Sequence, residues 1–170
     1  MVEITTERPC HRLAVEALFD LAFGRDRRRR VAYRYRIGVA PIPELCLVAL
    51  AGGQLVGAVR HGPVLLGAEP ALLLGPLATL PAWRGLGVGR ALVDAALVRA
   101  RGRPERAVLL IGDAAYYRRL GFAPVPEGIV VPGEPSSRVL WRVLAAGAPV
   151  SGVVRPYALR PAIAAGGGAG

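Results

Sequence analysis

A chain of 170 residues that is 53% hydrophobic is long enough to bury one full core, so a single domain is expected. Gly, Pro or Arg interrupts every apolar run short of the ~18 residues a membrane span needs, which excludes a helical membrane protein. The formal net charge is +10 and all 22 basic residues are Arg; alongside so much Ala, Gly and Pro, this reads as a GC-rich coding bias more than a nucleic-acid signature, leaving a general attraction to anions.

The elements follow in chain order. Val2 to Thr5 is a short first strand. Cys10 to Phe23 has helical spacing, with Leu13, Ala17, Leu18, Leu21 and Ala22 on one face. Gly24 breaks it, and a second, strongly basic helix starts at Arg25 and runs to about Arg36. Leu45 to Leu50 and Gln54 to Leu65 are strands joined by Ala51-Gly52-Gly53, and Ala71 to Leu80 is the fourth strand. Pro76 cannot donate to a ladder, so it marks an edge, a bulge or a place where strands part. A glycine-rich turn leads into a helix ending near Arg101. Ala107 to Ile111 is a buried strand, Asp113 to Leu120 a short helix stopped by Gly121, and Ser137 to Leu144 the final strand. Residues 1–156 form the domain, and the Ala/Gly-rich tail 157–170 is expected to fray. No basic leader precedes an apolar core, so a cytoplasmic location is expected. Cys10 and Cys46 lack metal-like spacing and read as buried thiols; His11 and His61 are isolated and read as structural, so no metal is expected.

The turn Arg84-Gly85-Leu86-Gly87-Val88-Gly89-Arg90 carries the functional signal. A glycine turn between a strand and a helix start aims unpaired backbone N–H groups at one spot, where the helix dipole adds positive charge. That is an anion cradle. A nucleoside triphosphate loop needs Gly-Lys-Ser/Thr, and the chain contains no Lys. A dinucleotide fingerprint needs a third Gly that this turn does not supply. Arg84-x-x-Gly87-x-Gly89 fits neither, and the bland alternative is a tightly packed strand–helix turn.

This pattern resembles the pyrophosphate signature of the GNAT acetyltransferases. Tyr116-Tyr117 followed by Gly121-Phe122 resembles the segment after the fifth strand of that superfamily. Gly75-Pro76-Leu77-Ala78, Gly112-Asp113 and Val150 to Pro156 are similar to its YhbS-like branch. The resemblance runs from about residue 2 to 156. It implies an α/β (α+β) GNAT fold: a mixed, mostly antiparallel sheet of about six to seven strands, flanked by about four helices and splayed at the fourth and fifth strands.

The resemblance also implies acetyl-CoA as the acyl donor and an amine on a small molecule or peptide as acceptor. The pyrophosphate would sit on Arg84, Gly85, Leu86, Gly87, Val88, Gly89 and Arg90. The pantetheine arm would pair along Leu77, Ala78 and Thr79, near Asp113 and Tyr116. The Leu77 N–H would polarise the thioester carbonyl. Tyr117 matches the general-acid position; the alternative is a packing residue. Members of the superfamily often place a Glu on the fourth strand as base, but Ala71 to Leu80 has no acid. Glu44 and Glu69 are the substitutes on offer, each equally readable as a surface residue, and water or a free amine would also serve. The basic helix would flank the acceptor groove, where it favours an anionic acceptor or nucleic acid; a solvated helix face is the preferred reading. A non-catalytic acyl-CoA-binding module is the competing function. The chain would act as a monomer or homodimer.

Overall fold

The computed structural model describes residues 1–157; the tail beyond lies outside the described residues. The strands are β1 (Val2–Thr6), β2 (Leu47–Ala51), β3 (Gln54–Leu66), β4 (Glu69–Thr79), β5 (Ala107–Ile111), β6 (Ala123–Pro124), β7 (Gly128–Val130), β8 (Val139–Val143) and β9 (Ser151–Pro156). The helices are α1 (Arg12–Phe23), α2 (Val31–Arg34), α3 (Val88–Ala100) and α4 (Ala114–Arg118). The sheet runs β1-β2-β3-β4-β5-β8-β6, with β9 joined to β3 and β7. Among the described residues, only β4–β5 and β7–β9 pair in parallel. The nine strands exceed the expected six to seven. The surplus is β6, β7 and β9, which are too short or too glycine- and proline-rich to show alternation.

Opposite faces of the sheet carry α3 and α1. Leu92, Val93 and Ala96 of α3 pack with Val59, Leu72, Leu74 and Leu77. Val15, Leu18 and Phe19 of α1 pack with Val48, Ala58 and Ala78. Burying each large apolar side chain contributes about 1.5–3 kcal/mol, so these two seams fix the sheet between its helices.

The buried face of α1 is not the predicted one. Leu13 and Leu21 are exposed, and Val15 and Phe19 replace them in the core. A mostly apolar helix offers two hydrophobic faces, and its acids decide between them. Glu16 and Asp20 turn toward Arg27 and Arg60, with which they form ion pairs.

The expected basic helix from Arg25 to Arg36 is also absent. A single helical turn at Arg27–Arg29 is followed by an extended residue, Arg30, and then by α2, only four residues long. Arg27 is drawn inward by Glu16, Asp20 and the Tyr33 hydroxyl. With only 3% of its surface exposed, it is not part of a solvated face.

A bulge interrupts β4. Val59 pairs with Leu77, but His61 pairs with Leu74, so Gly75 and Pro76 together oppose Arg60. The extra residue exchanges the two faces. Before it, Leu73 faces the α2 side and Leu74 the α3 side; after it, Leu77 joins Leu74 on the α3 side. β4 pairs with β5 only at Leu72 and Leu73, so from the bulge onward the two strands part, as expected of the fourth and fifth strands.

Candidate active site

The opened edge of β4 presents backbone polar groups. The N–H of Leu80 donates to the Val56 carbonyl on β3. Alternation along the strand then turns the N–H groups of Ala78 and Leu80 toward β3, and those of Leu77 and Thr79 toward the gap. A groove of about 370 Å³ runs along this gap, with Leu77, Ala78, Thr79, Arg84, Asp113 and Tyr116 on its walls.

The groove reaches the glycine turn at Arg84. Gly87 caps α3 with φ 82° and Gly85 has φ 77°, conformations that side-chain-bearing residues rarely adopt. The backbone N–H groups of residues 85–90 donate to no acceptor among the described residues. The three within α3 are orphaned because a helix start has no preceding turn to supply carbonyls. Val88 and Gly89 are buried, while Arg84, Gly85, Leu86, Gly87 and Arg90 are exposed. The Arg90 guanidinium donates to the Arg119 carbonyl, which ties α3 to α4. A Cβ on Gly89 would lie 2.5 Å from the Tyr116 hydroxyl, so the bare glycine lets that ring lie across the helix start. Asp113 accepts from the Tyr116 N–H at 2.7 Å, so its carboxylate caps α4 as well as lining the groove.

Tyr117 stands where this groove meets a second cavity of about 410 Å³. Leu77, Phe23, Arg30, Ile111 and Arg138 are also common to both. The Tyr117 ring is held edge-on by Tyr116 and Phe122, at centroid distances of 5.0 and 6.0 Å. A Cβ on Gly112 would sit 2.6 Å from the Tyr117 ring, so this glycine too makes room for an aromatic. The Tyr117 hydroxyl makes no hydrogen bond among the described residues. Burial, reinforced by Tyr116, pushes its pKa above the ordinary phenol value against the opposing pull of Arg36. Burial likewise raises that of Tyr116. Leu77 and Tyr117 are thus brought together, a backbone donor and a protonated phenol at one junction.

The two candidate bases are not brought there. Glu44 is exposed and paired with Arg103, beside the C-terminal end of α3. Glu69 opens β4, eight residues before Leu77 and so roughly 26 Å away along the strand. Neither lines the groove or the second cavity.

Other side chains, not singled out by their sequence pattern, shape the region. Arg36 and Tyr33 lie between the second cavity and a third of about 380 Å³ that Glu16 and Arg60 line. Burial works to raise the Glu16 pKa, but bonds from Arg60 and Arg27 outweigh it and hold the carboxyl below the usual range. His61 is fully buried, and burial lowers its pKa to about 4. Its Nδ1 lies 2.9 Å from the Leu45 carbonyl, which can only accept, so Nδ1 carries the proton and the unpartnered Nε2 is a bare lone pair. Cys10, expected to be buried, is exposed; Cys46 is buried. Among the described residues no group of His, Cys, Asp and Glu is arranged to hold a metal ion, and no helix is long and apolar enough to cross a membrane.

Comparison with known proteins agrees with this arrangement. Residues 43–124 match the family model described as Acetyltransferase (GNAT) domain. The uncharacterized N-acetyltransferase YjhQ of Escherichia coli (strain K12) is 34% identical over 86 residues, which are 48% of this chain and 48% of YjhQ. The match therefore spans about half the length of that curated relative. The crystal structure of the E. coli GNAT family N-acetyltransferase YhbS in complex with CoA superposes with a TM-score of 0.77 at 28% identity, covering 92% of this chain and 89% of YhbS. A GNAT family acetyltransferase from Brucella melitensis, in complex with acetyl-CoA, gives a TM-score of 0.67 at 27% identity, covering 93% of this chain and 97% of that one. The open sheet, the glycine turn at the start of α3 and these likenesses agree: the chain carries a GNAT acetyltransferase domain.

Proposed function

We propose that this protein transfers the acetyl group of acetyl-CoA to an amine, by direct attack of the amine nitrogen on the thioester. The observation that carries this reading is the junction at Leu77 and Tyr117, where a groove that reaches the glycine turn at Arg84 opens into a second cavity. YhbS and the Brucella protein, crystallised with CoA and acetyl-CoA, support the choice of donor.

The pyrophosphate occupies the N–H groups of residues 85–90, and the pantetheine amides pair with the Leu77 and Thr79 edge as an added strand would. The acceptor nitrogen enters from the second cavity and forms a C–N bond to the thioester carbon. The Leu77 N–H donates to the developing oxyanion, a contact worth about 3 kcal/mol in other acyl-transfer sites. As the C–S bond breaks, the leaving thiolate takes the proton of Tyr117, which solvent replaces. The ammonium proton goes to water before attack, and the second proton that the nitrogen sheds as the amide forms goes to water as well, since both carboxylates lining the junction among the described residues are engaged: Glu134 is bonded to Arg138 and Asp113 caps α4.

That lack of a free carboxylate also motivates the competing reading, a module that binds acyl-CoA without turnover. Calorimetry with acetyl-CoA, followed by CoA release over a panel of amines, separates the two. Binding with release supports transfer, binding without release supports the module, and no binding overturns both.

A further inference from the structure

We infer that the acceptor carries an anionic group, a carboxylate or a phosphate, and that Arg36 is the residue that grips it. This rests on the acetyltransfer reading and names the acceptor class for the second cavity.

The argument starts from ion pairing. Three carboxylates approach Arg27 and Arg60, and all three are engaged by them: Glu7 by Arg60, Asp20 by Arg27, and Glu16 by both. Glu134, the one acid lining the second cavity, is bonded to Arg138. The Arg36 guanidinium is left with no ion pair and no hydrogen bond among the described residues. It lies over an aromatic ring instead, with Cζ 4.7 Å from the centroid of Tyr33. Tyr33 is fixed in turn by the Arg27 guanidinium bonding its hydroxyl. On the other side, Arg36 Nη2 lies 3.1 Å from where a Cβ on Gly75 would stand, so the guanidinium rests against the β4 bulge.

A partly buried cation without a counter-ion is costly, and burial pushes its pKa down to about 10. The cost is removed when a ligand brings the missing anion. A fixed guanidinium offers parallel N–H donors that match two oxygens of a carboxylate or phosphate. The remaining charges on the cavity wall agree in sign: Arg29, Arg30 and Arg138 accompany Arg36 against the single Glu134. Gly75 stands two residues before Leu77, so an anion on Arg36 would leave a short spacer between itself and an amine at the thioester.

The test compares matched acceptors: an amino acid, its carboxamide and an aminoalkyl phosphate, each followed by CoA release. The anionic members of each set should exceed the carboxamide about 10- to 100-fold in kcat/KM, the span expected of one or two charge-assisted bonds. In Arg36→Gln that ratio should collapse toward one, and Arg36→Lys should restore part of it. The acetyl-CoA Kd measured on the same variants reports whether they remain folded and loaded. The carboxylate and phosphate arms show which anion is preferred. Carboxamides that react as well as the anions, a preference that survives Arg36→Gln, or a panel in which no anionic amine reacts would each overturn the inference. The acetyltransfer reading survives the first two results and falls if acetyl-CoA is not bound at all.

Discussion

The cradle proposed at residues 85–90 and the wall around Arg36 both offer donors suited to anions, but with different atoms. The cradle uses backbone N–H groups held by glycines at positive φ, so any oxygen-rich anion of the right size fits and side-chain identity matters little. The wall uses guanidinium groups brought together from the segment before α2, from its C-terminal side and from the turn before β8. A backbone site suits a donor that is common to every member of a superfamily. A side-chain site can be rebuilt by single substitutions, which suits an acceptor that varies.

The largest effect that would break this contrast comes from Gly87→Glu. It forces a side chain onto φ 82° and sets a negative charge in the cradle. Acetyl-CoA affinity by calorimetry should fall on the order of 100-fold or more, equivalent to a few kcal/mol; unchanged affinity would mean that the cradle does not hold the cofactor.

Tyr117→Phe comes next. Turnover should drop about 100-fold, with acetyl-CoA affinity nearly intact, as for loss of a general acid. Because burial raises the Tyr117 pKa, its proton stays available at high pH. The wild-type rate should therefore hold where an ordinary phenol would ionise, at ~10. A rate that falls there would remove Tyr117 from the acid role.

His61 sharpens the comparison from the stability side, because it stands near the wall and not the cradle. It is neutral when folded, with its pKa lowered to about 4. The unfolded chain takes up this proton below ~6.5, so the stability it contributes is complete above that pH and is lost as pH falls toward the folded value. The melting temperature should decline between those limits, and His61→Gln should flatten the decline. An unchanged slope would assign the acid sensitivity to other groups.

Gly89→Ala probes the cradle gently. The new methyl must displace the Tyr116 hydroxyl, which is the far end of a half-exposed side chain. Acetyl-CoA affinity should weaken by about threefold, under 1 kcal/mol. The smallest effect is expected from Glu44→Ala and Glu69→Gln, which should leave kcat/KM within about twofold, since surface substitutions away from the site rarely matter. A large loss in either would restore it as a base.

The glycine turn before α3 and the strand order from β2 to α4 were legible because both follow from local chemistry. Glycine spacing fixes the turn, and a continuous apolar run such as Ala107 to Ile111 fixes a buried strand. What the sequence could not show depends on distant pairing. The inward turn of Arg27 is decided by Glu16 and Asp20 on a different element, so the arginine run looked like one helix. The same pairing rotated α1 and exposed Leu13 and Leu21. Nothing in the run Arg27 to Arg36 distinguishes Arg27, which two carboxylates draw inward, from Arg36, which pairs with none.

The bulge at Gly75-Pro76 acts on everything after it as a change of phase. With the extra residue present, the Leu77 N–H faces the gap and its side chain faces the core. Were the same residues to run through without the bulge, both would invert at once: the amide would point into the ladder with β3, and the leucine would leave the α3 face. Strand composition would hardly change, and cradle and wall would both persist, yet no donor would remain at the thioester where they meet. The irregularity thus sets the timing between two sites that share no residue of their own.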